Sequence, residues 1–204
     1  MLCKALHNIF NYSKTIGDHQ ITGLVGLSWS ENKYDYLNSQ ASKFSSTFYL
    51  WNNLGAGSNP PTVGSSNTRG SLNSYFARAT YSYQGKYMLT ATGRIDGSSK
   101  FGSNSKYGFF PSVGVAWRIS KEGFLADNEL ISNLKLRLSY GQTGNQEVGN
   151  FITQTYISNA NVLLANGYNA GLYPGSTGND NLKWETTTQY DIGLDLGLIK
   201  DRIN

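Results

Sequence analysis

Hydrophobic and polar side chains alternate along much of this chain with a period of two. The clearest example lies at residues 74–95, where two alternating runs flank the dipeptide Gln84-Gly85. The polar face of the first run has one apolar exception, Phe76. Its other face carries Tyr75, Ala77, Ala79, Tyr81 and Tyr83. A period of two predicts β-strands whose faces meet different environments, and the glycine favours a tight hairpin.

The same alternation predicts strands in several further segments. These are residues 5–16, which alternate weakly, and residues 20–30, 109–119, 134–141 and 186–198, which alternate clearly. Together they make about seven strands of roughly ten or more residues, whereas ordinary strands have about five or six. Tilted strands of about nine to eleven residues are the length that a bilayer requires.

The connections between these strands alternate in length. Short turns are predicted at 17–19 and 84–86, whereas residues 31–70 and 142–183 are long and irregular, with a possible strand at 151–158. Short turns on one side and long loops on the other are typical of outer-membrane barrels, whose long loops are extracellular. We therefore expect extracellular loops at about 31–70 and 142–183.

Charged residues in the middle of the predicted strands lie on the polar face, and the apolar face carries almost none. Arginine or lysine facing lipid at the membrane midplane costs about 2–4 kcal/mol, whereas a water-filled lumen tolerates either. We therefore predict that the following side chains face a lumen: Arg78, Arg94, Asp96, Arg118, Arg137, Asp191 and Asp195. Aromatic residues near strand ends, including Trp29, Trp117 and Trp184, are typical of the girdles at membrane interfaces.

The pattern favours an all-β fold, an antiparallel segment of a transmembrane β-barrel. About seven strands fall short of the smallest common bacterial barrel, which has about eight, so the barrel is expected to be incomplete. The alternative is a soluble or surface β-sandwich that binds carbohydrate without transporting it, since its strands also alternate. Mid-strand charges confined to one face favour the barrel.

Composition narrows the remaining possibilities. The chain has 204 residues, a formal net charge of +4 and 39% hydrophobic residues. No stretch approaches about 18 consecutive apolar residues, which argues against a helical membrane protein. The basic residues are scattered, which gives little support to nucleic-acid binding. The single cysteine, Cys3, allows no internal disulfide.

No pattern of residues indicates catalysis or a metal site. The two histidines, His7 and His19, lack neighbouring ligands, and no hydroxyl is paired with a base. We expect no enzyme activity, no cofactor and no metal. The acidic residues of the 121–132 connection are expected to be solvated: Glu122, Asp127 and Glu129.

The predicted loops contain two features of interest for binding. Residues 97–106 form a turn-rich loop in which Asp96 is expected to cap local amides, with a sugar contact by Asp96 or Lys100 as the alternative. Aromatic residues in the long loops, such as Tyr34 and Tyr36, suit stacking on sugar or peptide faces. Packing of the loops on one another or on a partner protein is the alternative.

Three motifs in fixed order resemble the C-terminal barrel region of the SusC/RagA family. They are DGSSKFGSNSKYGFFPSVGVAWRISKEGFL at 96–125, LKLRLSYGQTGNQ at 134–146 and LKWETTTQYDIGLDLGL at 182–198. The family comprises TonB-linked outer-membrane proteins of Bacteroidetes. The resemblance covers nearly the whole chain.

The resemblance implies that residues 1–204 are part of a TonB-dependent receptor-type barrel of about 22 strands. Nothing in the chain resembles the family's plug domain or a signal peptide. The implied function is import of nutrient oligomers, glycans or peptides, across the cell outer membrane. The implied partners are outer-membrane lipid, a SusD-like surface lipoprotein and the TonB complex, which would act through the N-terminal part missing from this chain.

Overall fold

The structure is a computed structural model that describes residues 1–48, 50–125, 128, 130–164 and 167–199. Short 3-10 turns occur at Leu50–Asn52, Leu54–Ala56 and Ile119–Lys121. Within the described ranges, no helix has the length and apolar character needed to cross a membrane. The strands are β1 (Leu2–Ile16), β2 (His19–Gln40), β3 (Thr62–Tyr83), β4 (Tyr87–Ser98), β5 (Tyr107–Arg118), β6 (Ile131–Asn145), β7 (Tyr156–Leu164), β8 (Gly167–Ser176) and β9 (Glu185–Leu198).

Seven strands form one antiparallel sheet in the order β1-β2-β3-β4-β5-β6-β9. Strands β7 and β8 form a separate hairpin within the connection between β6 and β9. In the described part of the chain, β1 and β9 are the edges of the large sheet and do not pair with each other. The prediction of an all-β, antiparallel and incomplete barrel is therefore confirmed.

The register of the sheet aligns the predicted faces across the strands. Directly paired residues of an antiparallel sheet share a face. Val25 pairs with Ala77, and the apolar face continues through the pairs Leu89–Val115 and Leu138–Ile192. The alternation therefore predicted the two faces correctly.

The apolar face is open to the surroundings. Val25 retains 54% of its exposure and Leu194 retains 61%. Among the described residues, only Phe101, Phe110 and Trp184 are buried hydrophobic side chains. A β-sandwich packs the apolar faces of two sheets against each other, and in the described ranges nothing of that kind covers this face. Exposed apolar patches of this extent are typical of membrane contact or of a protein interface.

The connection between β2 and β3 is shorter than the sequence predicted. Residues 31–40 and 62–70 belong to strands rather than to an irregular loop, which leaves residues 41–61 as the connection. Hydropathy shows no period in these segments because both faces of this ribbon are largely polar. Its strands are held by the backbone ladder and by ion pairs such as Arg69–Glu31.

The connection between β6 and β9 also contains more strand than expected. β6 continues to Asn145, and the possible strand at 151–158 is replaced by β7 at Tyr156–Leu164. The short helical turn expected within 121–132 begins earlier, at Ile119–Lys121. The extracellular position of both long connections remains a prediction.

Candidate functional site on the polar face

The seven residues predicted to face a lumen share the polar face of the large sheet. The pairs Asp96–Ser74, Arg137–Gly193 and Asp191–Ser139 place their members on one side. Arg94 pairs with Phe76 on one neighbouring strand and with Phe110 on the other. The same side carries Arg78, Arg118 and Asp195. That this side lines a lumen remains a prediction.

Arg94, Asp96 and Ser74 form a hydrogen-bonded polar group on this face. Arg94 Nε donates to both carboxylate oxygens of Asp96, at 2.8 and 2.7 Å, and Nη2 donates to Ser74 Oγ at 2.9 Å. The Arg94 guanidinium lies 5.7 Å from the centre of the Phe76 ring. Asp96 is only 8% exposed. The expectation that Asp96 caps local amides is therefore wrong, because its carboxylate is bound by Arg94.

An aromatic cluster adjoins this polar group. The Trp184 ring lies 5.0 Å from Phe101 and 5.3 Å from Phe110, in an edge-on contact with the latter. Trp184 Nε1 donates to the carbonyl oxygen of Lys106 at 2.9 Å. Leu72, Val148 and Leu182 pack around the cluster. The assignment of Trp184 to an interfacial girdle is wrong, because residue 184 precedes β9 and packs beside the polar-face ring of Phe110.

Hydrogen bonds beside the cluster join the β4–β5 loop to β3 and to the β6–β9 connection. The Ser99 backbone N–H donates to the carbonyl oxygen of Ser71 at 3.0 Å, and the Ser71 N–H donates to Ser99 Oγ at 2.8 Å. Lys100 Nζ donates to the carbonyl oxygen of Gln146 at 3.3 Å. The loop at 97–106 is thus fixed to β3 and to the β6–β9 connection. Lys100 is engaged with protein here.

Sequence reasoning missed Phe110, although a signal was present. Phe76 and Phe110 are both apolar residues out of phase with the alternation of their strands. Both fall on the polar face, on either side of Arg94 in the same cross-strand row. An aromatic residue on the wrong face of an alternating strand therefore indicated an inner cluster.

The other predicted residues form two further groups. Arg78 Nε donates to Thr92 Oγ1 at 3.2 Å, and Arg78 lines a cleft of about 400 Å³ together with Asp191. Arg137 Nη2 lies 2.8 Å from Asp195 Oδ1 in a half-exposed ion pair. Arg118 and Asp195 line a cleft of about 630 Å³. Within the described ranges, no group hydrogen-bonds Arg118 Nε. Charges of both signs beside hydroxyl groups can bind and steer polar solutes.

An aromatic row crosses the apolar face near the short turns. Tyr87 lies 6.4 Å from Tyr83 and 6.4 Å from Trp117, centre to centre, and Tyr83 lies 4.8 Å from His19. His19 Nδ1 is 2.7 Å from Tyr81 Oη. That these rings belong to a girdle at a membrane interface remains a prediction. In the part of the chain that the structure describes, no three His, Cys, Asp or Glu side chains are grouped as a metal would need.

Glu122 anchors the following connection to that row. Its Oε1 accepts hydrogen bonds from Tyr87 Oη at 2.6 Å and Trp117 Nε1 at 3.0 Å, and its Oε2 lies 3.4 Å from Lys86 Nζ. These hydrogen bonds, with that of Tyr87 first, lower the pKa of Glu122. The expectation that Glu122 is solvated is wrong, since its side chain is 16% exposed. Asp127 and Glu129 lie outside the described residues.

The family described as "TonB dependent receptor-like, beta-barrel" matches residues 5–204. The chain belongs to this family. TonB-dependent receptor P26 of Formosa agariphila is 37% identical over 198 residues, which cover 96% of this chain and 20% of that protein. TonB-dependent receptor SusC of Bacteroides thetaiotaomicron is 40% identical over 141 residues, which cover 67% and 14%. The β-barrels of this family lie in the outer membrane.

Solved structures agree with this assignment. The RagAB peptide transporter aligns with a TM-score of 0.88 at 28% identity, over 98% of this chain and 22% of that one. The "open-open" state of the RagAB peptide importer aligns with a TM-score of 0.86. With the SusC relative, these similarities place the chain in the SusC/RagA group. The chain spans about a fifth of the length of the relatives that it matches over most of its own length.

Proposed function

We propose that this chain forms part of the wall of a TonB-dependent outer-membrane transporter that imports nutrient oligomers. The observation that carries the proposal is the division of the sheet into two faces. In the central part of the sheet, one face is apolar and uncovered within the described ranges, while the opposite face holds the seven predicted residues: Arg78, Arg94, Asp96, Arg118, Arg137, Asp191 and Asp195. A wall between lipid and a water-filled lumen needs this division.

The substrate and the partners follow from the family. We infer glycans or peptides as the imported oligomers, a SusD-like surface lipoprotein as the extracellular partner and the TonB complex as the energy source. The structural similarity to the RagAB peptide transporter supports peptides, and glycans follow from the resemblance to the SusC/RagA family. Passage through such a protein is gated binding rather than bond chemistry, so we expect no enzyme activity.

The test exchanges the chemistry of two adjacent residues in the middle of β6. Leu138 lies on the apolar face, and Arg137 lies on the polar face. Leu138→Arg places a charge in lipid and should destabilise the barrel by about 2–4 kcal/mol at the midplane. Arg137→Leu removes an exposed ion pair with Asp195, which is worth about 0–1 kcal/mol.

The measurement is the amount of folded protein in the outer membrane of the native host, with uptake of its growth substrate as a second readout. Leu138→Arg should reduce folded protein strongly, whereas Arg137→Leu should assemble at the wild-type level. Leu138→Lys serves as a second charged variant, and Leu138→Ile controls for the loss of leucine itself. Equal damage from Leu138→Arg and Arg137→Leu would contradict the proposed orientation.

A further inference from the structure

The outer part of the β2–β3 ribbon, which comprises residues 31–40 and 62–71, has two faces of different chemistry. One face holds all of its charged side chains, with Arg69 Nη2 lying 2.6 Å from Glu31 Oε2 and Lys33 Nζ lying 3.3 Å from Asp35 Oδ2. The register places the neutral residues on the opposite face. They are Asn32, Tyr34, Tyr36, Asn38, Ser66 and Thr68. Between residues 32–38 and 64–70, that face carries no side chain that is charged at neutral pH.

Two tyrosines dominate the neutral face. The rings of Tyr34 and Tyr36 are parallel to within 13°, with centres 6.5 Å apart. Their side chains remain half exposed, at 49% and 47% for the whole residue. Tyr34 pairs directly with Thr68 and Tyr36 pairs with Ser66, so hydroxyl groups lie beside each ring. We call Tyr34, Tyr36, Ser66 and Thr68 the tyrosine platform.

The tyrosine platform continues the polar face that holds the predicted lumen residues. Along β3, alternate residues of this face run from Thr68 through Gly70 and Leu72 to Ser74. Leu72 packs on the aromatic cluster, so the platform begins just beyond it. Asn150 lies against Gly70 on the same face. Within the described ranges, its buried Oδ1 accepts no hydrogen bond. The platform therefore has a polar wall at its inner end.

This combination fits an uncharged sugar chain better than a peptide. Exposed aromatic rings provide flat apolar contact area, and neighbouring hydroxyl and amide groups supply both hydrogen-bond donors and acceptors. A peptide brings charged termini and side chains, which would lose hydration without gaining a partner on this face. The charged groups of the ribbon lie on the other side and already form ion pairs with one another.

We propose that the tyrosine platform binds an uncharged oligosaccharide on its way to the polar face of the sheet. The proposal rests on the proposed function for its position on the transport route. The rings of Tyr34 and Tyr36 contact sugar faces, while Ser66 and Thr68 hydrogen-bond sugar hydroxyls. The spacing of the rings lets successive sugar units contact both.

The experiment measures binding by the protein purified in detergent from its host's outer membrane. The probes are immobilised maltohexaose, cellohexaose, xylohexaose and mannohexaose, with hexagalacturonate and a mixed hexapeptide library as charged comparators. The wild type should bind at least one neutral hexaose. The double variant Tyr34→Ala/Tyr36→Ala should bind it at least about tenfold more weakly, since two stacking contacts are lost. Tyr34→Phe/Tyr36→Phe, which keeps the rings, should stay within about threefold of wild type.

Tyr190→Ala is the matched control, because Tyr190 is an exposed tyrosine on the opposite face of the sheet. Equal binding by the wild type and the double alanine variant would overturn the proposal. Binding of the wild type to the charged probes alone, or to no probe, would also overturn it. The binding assay requires no transport. If Leu138→Arg and Arg137→Leu reduce folded protein equally, the proposed function fails, and sugar binding by the platform can still be measured. If the platform variants bind sugar as well as the wild type while Leu138→Arg alone blocks assembly, the platform proposal fails and the proposed transport function stands.

Discussion

Trp184 is the residue whose removal should most clearly release the connections at the loop end of the sheet. Its ring contacts Phe101 and Phe110, and its Nε1 hydrogen-bonds the carbonyl oxygen of Lys106. It therefore joins the β4–β5 loop, β5 and the start of β9. The substitution Trp184→Ala removes these contacts and leaves the backbone of β9 in place.

The expected cost follows from burial. Trp184 is 9% exposed, and replacing a buried tryptophan by alanine costs about 3–5 kcal/mol. Among the described residues, the cluster contains three buried side chains and lies at one end of the sheet, so its neighbours can partly collapse into the gap. We therefore take about 3 kcal/mol, which corresponds to an increase of roughly a hundredfold in the detached population of the loops. Trp184→Phe keeps a ring and loses one hydrogen bond, worth about 1 kcal/mol.

Limited proteolysis measures the population in which the loops are detached, because trypsin sites flank the cluster at Lys100, Lys106 and Lys183. When local opening is faster than cleavage, the cleavage rate follows the open population. Trp184→Ala should raise cleavage after Lys106 and Lys183 by roughly a hundredfold, and Trp184→Phe by about fivefold. Cleavage after Lys43, in the other long connection, should stay unchanged.

The matched control is Trp51→Ala, which removes an indole that is 77% exposed. It should leave cleavage after Lys106 at the wild-type rate. Wild-type cleavage of folded Trp184→Ala would refute the reasoning, since it would mean that the aromatic cluster does not hold the loops. A general rise that includes Lys43 would instead indicate loss of the whole fold and would equally contradict a local anchor.

Two further predictions concern packing and pH. At Gly26 a Cβ would overlap the Phe76 ring, whereas at Gly23 of the same strand nothing lies within 4 Å. Thermal unfolding in detergent should show Gly26→Ala destabilised by about 1–3 kcal/mol and Gly23→Ala unaffected; equal effects would contradict the packing. The second prediction concerns Glu122, whose carboxyl pKa is lower in the folded protein than in the unfolded chain. The stability contributed by the ionised Glu122 carboxylate is complete above the unfolded pKa, and it is lost as the pH falls through the folded pKa. Thermal unfolding between about pH 6 and pH 3 should therefore show a smaller acid-dependent loss in Glu122→Gln than in the wild type, and identical slopes would argue against the Glu122 contacts.

The alternation along the strands was sufficient to predict the two faces and the charged residues on one of them. Arg78, Arg94 and Arg137 lie on the predicted side because the pleat of a strand turns successive side chains to opposite faces. No knowledge of neighbouring strands is needed for that. The family motifs added the expectation of a larger barrel, and the family match supports it.

Hydropathy failed where both faces of a strand are polar. Residues 31–40 were predicted to be irregular, although charged residues and neutral residues alternate there. Glu31, Lys33 and Asp35 fall on one face, and Tyr34 and Tyr36 fall on the other. The alternation of charged and neutral residues, rather than of hydrophobic and polar ones, was the signal from which the full length of β2 could have been predicted. It would also have placed Tyr34 and Tyr36 on one face.

The sequence by itself therefore determined the strands with an apolar face, the direction of their side chains and the membership of the family. Only the tertiary structure decided where Trp184 and Glu122 lie, because each meets partners from other elements. Trp184 packs on Phe101 and Phe110, and Glu122 joins Tyr87 to Trp117. Those contacts form because the connections that carry Trp184 and Glu122 fold back onto the sheet. The alternation of side chains along a single strand contains no information about how a connection folds.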